Sequence, residues 1–383
     1  MSIHVQTDFP GGNACAVETL TEGATDVIRF AADPHGGTEA LWFFFRVVEC
    51  AERPVSLELT NLDSLLGDPS QWDQVRPVVR HAGSPWERIS PPAVHLLPDG
   101  RHRAVWTVEP EYDSFEFAFC FPYSLGDLEV TRASFGDYWK LDAIGVTAKG
   151  RRLPRLSNSY GAEESDAPGL YLLARQHAGE TPGSWVLDGL LRRTAETADP
   201  SALVVWAAPL ANLDGVLHGD YGKDPFPHDL NRAWTVPPMR HEVLVLQRDM
   251  NRWARRCRPA LVVDLHAPGG TESDGAYFFL PRATRPTESI DAARRAVESI
   301  LPALPKNLIR PEPVIQPSYP SRWSEDGTLG VYVWEQFAIP ALSMETPYSS
   351  SRGVLFTREE YRRLGARLLD GIRTYLNGLP NSE

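Results

Sequence analysis

The chain is short of cysteine, short of positive charge and without a long hydrophobic run. Its 383 residues hold four cysteines, Cys15, Cys50, Cys120 and Cys257, and none stands in CxxC spacing. This excludes a disulfide framework and predicts isolated buried thiols in a reducing compartment, a bacterial-type cytoplasm. Lys and Arg number 38 against 50 Asp and Glu, a net charge of −12. Nucleic acid and anionic membrane both reward clustered cations, so neither is expected as the main partner. The doublets Arg151-Arg152, Arg255-Arg256 and Arg362-Arg363 read as solvated faces. No apolar stretch reaches the roughly 18 residues of a membrane-spanning helix. The first residues, M-S-I-H-V-Q-T-D-F-P, lack the charged and apolar regions of a signal peptide.

What is present is an ordinary globular composition, 42% hydrophobic and 23% charged, in a chain long enough for two domains. The first third reads as short β-branched and aromatic runs, at 41–48, 55–60, 103–108 and 115–121, separated by Pro, Gly, Asn and Asp. A small all-β sandwich over residues 1–135 is expected. The stretch 133–154 reads as the passage to a second domain, residues 136–383. There, apolar runs at 170–173, 203–206, 261–265, 277–280, 331–334 and 341–344 read as buried strands. Helical patterns lie at 182–194, 238–257, 290–301 and 358–376, the first N-capped by Thr181 and the last opened by the Thr357/Glu360 capping box. The alternation predicts an α/β domain with a largely buried mixed sheet. Residues 303–322, rich in Pro and Ser, read as a long surface loop.

Chemistry gathers at the ends of these strands. In A-R-Q-H-A-G-E-T-P-G, His177 and Glu180 stand three apart between a strand and a helix, a spacing that can close on one Zn²⁺. His266 ends the run A-L-V-V-D-L-H-A, at the carboxyl edge where α/β sheets bind ligands. Asn231 and Arg232 are adjacent and belong to no helix pattern; a guanidinium with an amide beside it can grip a carboxylate. Asp229 is the candidate partner for the second ring nitrogen of His177, and Asp264 could serve a neighbouring group in the same way. Glu345, at the end of the strand in P-A-L-S-M-E-T-P-Y, could act beside a metal-bound water as general base and proton shuttle.

Together these segments resemble the zinc carboxypeptidase superfamily, and within it the cytosolic carboxypeptidase branch. The resemblance rests on A-R-Q-H-A-G-E-T-P-G-S-W, N-L-D-G-V-L-H-G with D-L-N-R-A-W, V-D-L-H, D-G-T-L-G-V-Y-V-W-E and L-S-M-E, in order from Leu170 to Glu345. In the first third it rests on W-F-F-F-R-V, R-P-V-V-R-H-A-G-S-P-W-E-R and F-A-F-C-F-P-Y-S. It implies a mixed-sheet zinc carboxypeptidase domain preceded by a small all-β sandwich. It further implies one zinc per chain on His177, Glu180 and His266, with Glu345 as general base and acid. Asn231 and Arg232 would hold the C-terminal carboxylate of a peptide, and Asp229 would stand behind the first zinc histidine.

Four departures accompany the resemblance. Ala178 replaces a proline and Pro268 a histidine. Gly222 falls where the branch carries the arginine that polarises the scissile carbonyl, with Lys223 next to it as a possible substitute donor. Gly330 falls on the arginine that selects acidic C-terminal residues, so acidic specificity would need another cation, Arg322 or Lys223. The expected activity is that of a zinc metallocarboxypeptidase cutting a C-terminal peptide or isopeptide-type amide. Two alternatives keep the site: a zinc amidase or deacylase for small acylated amino acids or cell-wall peptides, and a non-catalytic peptide-binding relative. Oligomeric state and side-chain preference are not encoded in these patterns.

Overall fold

A computed structural model describes residues 3–37, 39–50, 53–223, 228–318 and 327–380. The aromatic first third forms two five-stranded sheets. One runs His4–Gln6, Phe44–Val48, Ser114–Ala118, Val78–His81, Glu87–Arg88 and is antiparallel throughout. The other orders Cys15–Glu22, Thr25–Ala31, Val55–Leu59, His102–Val108, Ala93–Leu96, with the Thr25–Ala31 and Val55–Leu59 pair parallel. Inward positions on both sheets are aromatic, so edge-to-face and stacked rings fill the space between them: Phe30, Phe43, Phe45, Phe117 and Trp106 are in mutual contact. Trp72 and Trp106 are core, whereas Trp86 is half-buried, packed against Phe44 and under the Arg80 guanidinium.

The remainder is built on an eight-stranded mixed sheet ordered Lys140–Val146, Arg152–Ser157, Val204–Ala208, Pro168–Ala174, Arg258–His266, Ala341–Glu345, Ala276–Phe279, Ile309–Ile315. Its four central strands are parallel. They are near-continuous apolar runs because helices cover both faces, and the residues 170–174 and 261–265 are almost wholly buried. Parallel pairing brings the carboxyl ends of these strands to one edge. Ala174 pairs with Leu265 and His266 with Glu345, so three chemistry-bearing segments leave the sheet side by side. The helix Thr181–Thr197 packs on Arg358–Asn377 behind them.

Four local expectations are corrected. The run 331–334 is not a strand but part of the helix Leu329–Phe337. Thr328 caps it by accepting the Val331 N–H, and Leu329, Tyr332 and Val333 form its buried face, a helical spacing that a four-residue apolar run cannot reveal. Within the expected loop 303–322, Ile309–Ile315 is an edge strand parallel to Ala276–Phe279. Pro311 and Pro313 are tolerated there because an edge strand leaves alternate donors unused. The stretch 133–154 contributes the hairpin strands Lys140–Val146 and Arg152–Ser157 to the edge of the large sheet. Thr181 is the first helical residue rather than the cap; the cap position is Glu180, whose carboxylate is turned away into the pocket. Arg322 lies outside the described residues. Among the described residues no helix is long and apolar enough to cross a membrane.

Candidate metal centre and substrate pocket

His177 sits three residues beyond the strand Pro168–Ala174, on a turn that leads into the helix at Thr181. The turn is braced by Arg175, a buried residue in the left-handed backbone region with φ +64°. Its Nε donates to the Ala178 carbonyl at 2.6 Å, and its Nη1 reaches the Tyr123 carbonyl and Ser184 Oγ, each at 3.3 Å. Burial lowers this guanidinium to about 10. Gly179 N–H bonds the Tyr221 carbonyl at 2.8 Å, tying the turn to the segment that carries Lys223.

Three side chains converge at the edge of the sheet. His177 Nδ1 lies 2.8 Å from Glu180 Oε1, and His266 Nδ1 lies 2.8 Å from Glu180 Oε2. One ligand atom from each of the three lies within 4.8 Å of the others, and all three residues are buried. Each imidazole is oriented by a carboxylate on its far nitrogen: His177 Nε2 is 3.1 Å from Asp229 Oδ1, and His266 Nε2 is 2.8 Å from Asp264 Oδ2. With a metal bound, these carboxylates would keep the proton on Nε2 of both rings and leave both Nδ1 lone pairs to the ion, the arrangement metal-binding histidines adopt. Gln176 steadies Asp264 (Nε2 to Oδ2, 2.6 Å), and Trp234 Nε1 donates to Gln176 Oε1 at 2.7 Å. The spacing of H-x-x-E marks the ligands but carries no trace of Arg175, Gln176 or Trp234; only adjacency to His177 hinted at the first two.

The electrostatics suit a dication. Burial opposes charge on Glu180, but His177, Lys223 and His266 outweigh it and hold its carboxyl well below the usual range. Burial likewise raises Asp229, yet His177 and Arg232 carry it down to about 2. Glu180 and Asp229 are thus held ionised beside the two imidazoles, negative charge that a metal ion would balance. The donor set of two imidazoles and one carboxylate is that of an open catalytic zinc site.

The centre opens into a cavity of about 560 Å³ that also receives Glu345, Lys223, Asn231 and Arg232. Glu345 ends its strand opposite His266 and has Oε2 shielded with no hydrogen-bond partner. Burial lifts this carboxyl to about 7, with Glu180 adding to the rise and His266 and Lys223 opposing it. Lys223 Nζ is 3.3 Å from Glu180 Oε1. Burial works against its charge, but Tyr221, Glu180 and Glu345 keep the ammonium protonated far above neutrality. Asn231 Oδ1 accepts the Leu329 N–H at 3.2 Å. Its Nδ2 lies 3.3 Å from His266 Nε2, whose own proton faces Asp264, so the amide protons remain available to a ligand. Arg232 Nη1 bonds the Asn231 carbonyl at 2.8 Å, while Nε is buried without an acceptor.

Both glycine departures have a physical setting. Gly222 has φ +97°, and a Cβ there would collide with the backbone nitrogen of Ala178 in the His177 turn. No side chain fits at 222, and the adjacent Lys223 brings an ammonium into the cavity. Gly330 faces open space in the cavity, where a Cβ would meet nothing within 4 Å. Arg282 and Arg285, which sequence reasoning passed over, line the cavity as well. Pro268 lines it without contributing a ligand atom.

Residues 5–120 match the family model described as the cytosolic carboxypeptidase N-terminal domain. The chain is 28% identical over 258 residues to cytosolic carboxypeptidase 6 of Mus musculus, an alignment covering 62% of this chain and 47% of that protein. With the Caenorhabditis elegans protein of the same name it shares 24% over 288 residues, 68% of this chain and 61% of that one. The chain thus spans about half the length of the curated relatives it matches. In fold it is similar to a metallo-carboxypeptidase from Burkholderia cenocepacia, with TM-score 0.79 and 20% identity over 98% of this chain and 99% of that one. A metallo-carboxypeptidase from Pseudomonas aeruginosa gives TM-score 0.75 at 20% identity, over 98% and 99%. The first third of the chain is thus similar to the N-terminal domain of cytosolic carboxypeptidases, and the whole chain shares the fold of the metallo-carboxypeptidases.

Proposed function

We propose that the chain is a zinc-dependent metallocarboxypeptidase that hydrolyses a C-terminal peptide or isopeptide-type amide bond. The observation that carries this reading is the convergence of the His177, Glu180 and His266 ligand atoms beside a carboxyl held near neutrality, in a cavity also lined by Asn231 and by Arg232, whose Nε has no acceptor. One zinc ion held by the three ligands would supply Lewis acidity and make a water acidic near neutral pH. Glu345 would serve as general base towards the attacking water and as general acid towards the leaving amine; a carboxyl titrating near 7 suits both halves of the task. Lys223 donates to the carbonyl oxygen as it gains charge, from a position where it is held protonated. Arg232 and Asn231 hold the substrate carboxylate and fix which bond faces the water.

The Pseudomonas aeruginosa neighbour is in complex with (2-guanidinoethylmercapto)succinic acid. Ligands bearing carboxylates are accordingly the class to test on this chain. With Gly330 leaving open space, the side-chain preference is set by what else reaches the cavity, and Arg282 and Arg285 are the cations placed to do so.

The test is a panel of peptides and N-acyl amino acids assayed with wild type and Glu345→Gln. Wild type should release C-terminal residues, and the variant should keep its zinc while losing roughly 10²–10⁴ in kcat. Full activity in the Gln variant would remove Glu345 as base. Cleavage confined to N-acyl amino acids would move the protein to an amidase, and zinc binding without turnover on any substrate would make it a binding protein.

A further inference from the structure

A second group of potential metal ligands lies where the sandwich meets the catalytic sheet. His35, on the loop after the strand Thr25–Ala31, and His218, at the end of the short helix Leu213–His218, both direct Nδ1 at Asp220 Oδ1, at 2.7 and 2.6 Å. Their rings lie 4.3 Å apart, and one ligand atom from each of the three residues lies within 4.8 Å of the other two. The pattern repeats that of the first centre: two Nδ1 atoms meet at one carboxylate, and His35 Nε2 faces Asp33 Oδ2 at 3.7 Å. Ligand atoms around one tetrahedral zinc are about 3.4 Å apart, so a small outward shift of each ring accommodates an ion.

The loops that present these ligands are held independently of them. Asn13 Nδ2 donates to the carbonyls of Asp33 and Gly219, at 2.9 and 2.7 Å, and Asn13 Oδ1 accepts the Asp33 N–H at 2.8 Å. Gly219, between His218 and Asp220, has φ +83° and packs against Gly12 so closely that a Cβ would clash. The H-G-D turn is therefore fixed in place, and the two neighbouring imidazoles direct Nδ1 at the same oxygen of Asp220. Neutral imidazoles can turn Nδ1 to a metal by moving their protons to Nε2, on His35 towards Asp33 and on His218 towards solvent.

We infer that His35, His218 and Asp220 form a second divalent transition-metal site, distinct from the centre on Glu180. Two imidazoles and one carboxylate suit zinc, nickel or copper rather than calcium or magnesium. The His218 side chain is 51% exposed, so solvent completes the coordination and the ion exchanges readily, more weakly held than one in the buried centre. An ion there ties the sandwich loop at 33–35 to the segment that runs through Tyr221 and Gly222 to Lys223.

The experiment is a zinc titration of metal-stripped, tag-free protein against a competing chromophoric indicator at neutral pH. Wild type should bind two zinc ions per chain in a tight and a weak class. His218→Ala should lose the weak class alone, and His177→Ala the tight class alone, with circular dichroism confirming that each is folded. His35→Gln repeats the first test at a residue of the sandwich. A single zinc in wild type that His177→Ala abolishes, or two retained in both His218→Ala and His35→Gln, overturns the site. Loss of the tight class would instead count against the catalytic centre, so the two readings fail separately.

Discussion

At the residue scale the candidate site is a contest between burial and charge. Glu345 has lost water and lies near Glu180, which favours its protonated form, and its titration near 7 records that balance. As a base it works only when ionised, so kcat/KM should fall as pH drops through its pKa. A bound dication favours the ionised form, so the acidic limb should lie at or below about 7. A pH–rate profile of the zinc enzyme tests this; a limb clearly above 7 would contradict it. Lys223→Met should keep zinc and lose roughly 10² or more in kcat, with Lys223→Arg recovering part of it. Gly222→Ala should instead cost at least about 2 kcal/mol in chemical denaturation, because both its positive φ and the Ala178 backbone exclude a Cβ.

These residues differ in how legible they were. His177, Glu180, His266 and Glu345 stand at the ends of apolar runs, and a parallel sheet carries such ends to one edge, so their placement followed from pattern alone. Lys223 was readable only as the neighbour of a glycine, and that the glycine is enforced by Ala178 required coordinates. Arg175 and Gln176 orient the ligands through contacts with no periodic signature. His35 meets His218 across more than 180 residues, a pairing that neither local spacing nor composition can announce.

At the scale of elements, the strands in the middle of the sheet were plain because burial on both faces demands continuous apolar runs. The edges misled for the converse reason. Ile309–Ile315 carries two prolines, and the helix Leu329–Phe337 begins with a run that would serve equally in a strand. How elements are fastened is visible at Asp249, on the helix His241–Ala254. It accepts from Arg155 Nη1 at 3.1 Å and from the Tyr171 hydroxyl at 3.0 Å, joining that helix to an edge hairpin and a central strand. Burial raises its carboxyl from the usual 3.8 to about 6, against the pull of Arg155. A raised pKa means the folded state prefers the proton, so this stabilising preference is full below about 3.8 and is lost as pH climbs through 6. Asp249→Asn cannot titrate. Its stability relative to wild type should therefore rise by up to about 3 kcal/mol between pH 4 and pH 7, measured by denaturant unfolding at each pH. A difference that stays flat would contradict the assignment.

At the scale of the whole molecule, the sandwich and the eight-stranded sheet share one core. Phe119 packs at 4.8 Å against the tilted ring of Tyr348, and Arg88 crosses the junction to the Phe356 carbonyl at 2.5 Å and the Tyr361 hydroxyl at 3.2 Å. The Arg76 N–H reaches Ser349 Oγ at 3.0 Å. Two units joined in this way should unfold together. Calorimetry of the metal-free protein is expected to show one transition, shifted down but still single in Arg88→Ala; two resolved transitions would show independent units. Zinc at a hundredfold excess over its dissociation constant should add about 2.7 kcal/mol to that stability, and a chelator should reverse the gain.

The closed backbone at Gly222 also bears on what mutation can reach. A library randomised at that position should return glycine and little else among folded clones, however strong the selection for activity. In this chain, variation in the cation that reaches the cavity is therefore channelled to position 223, one residue along.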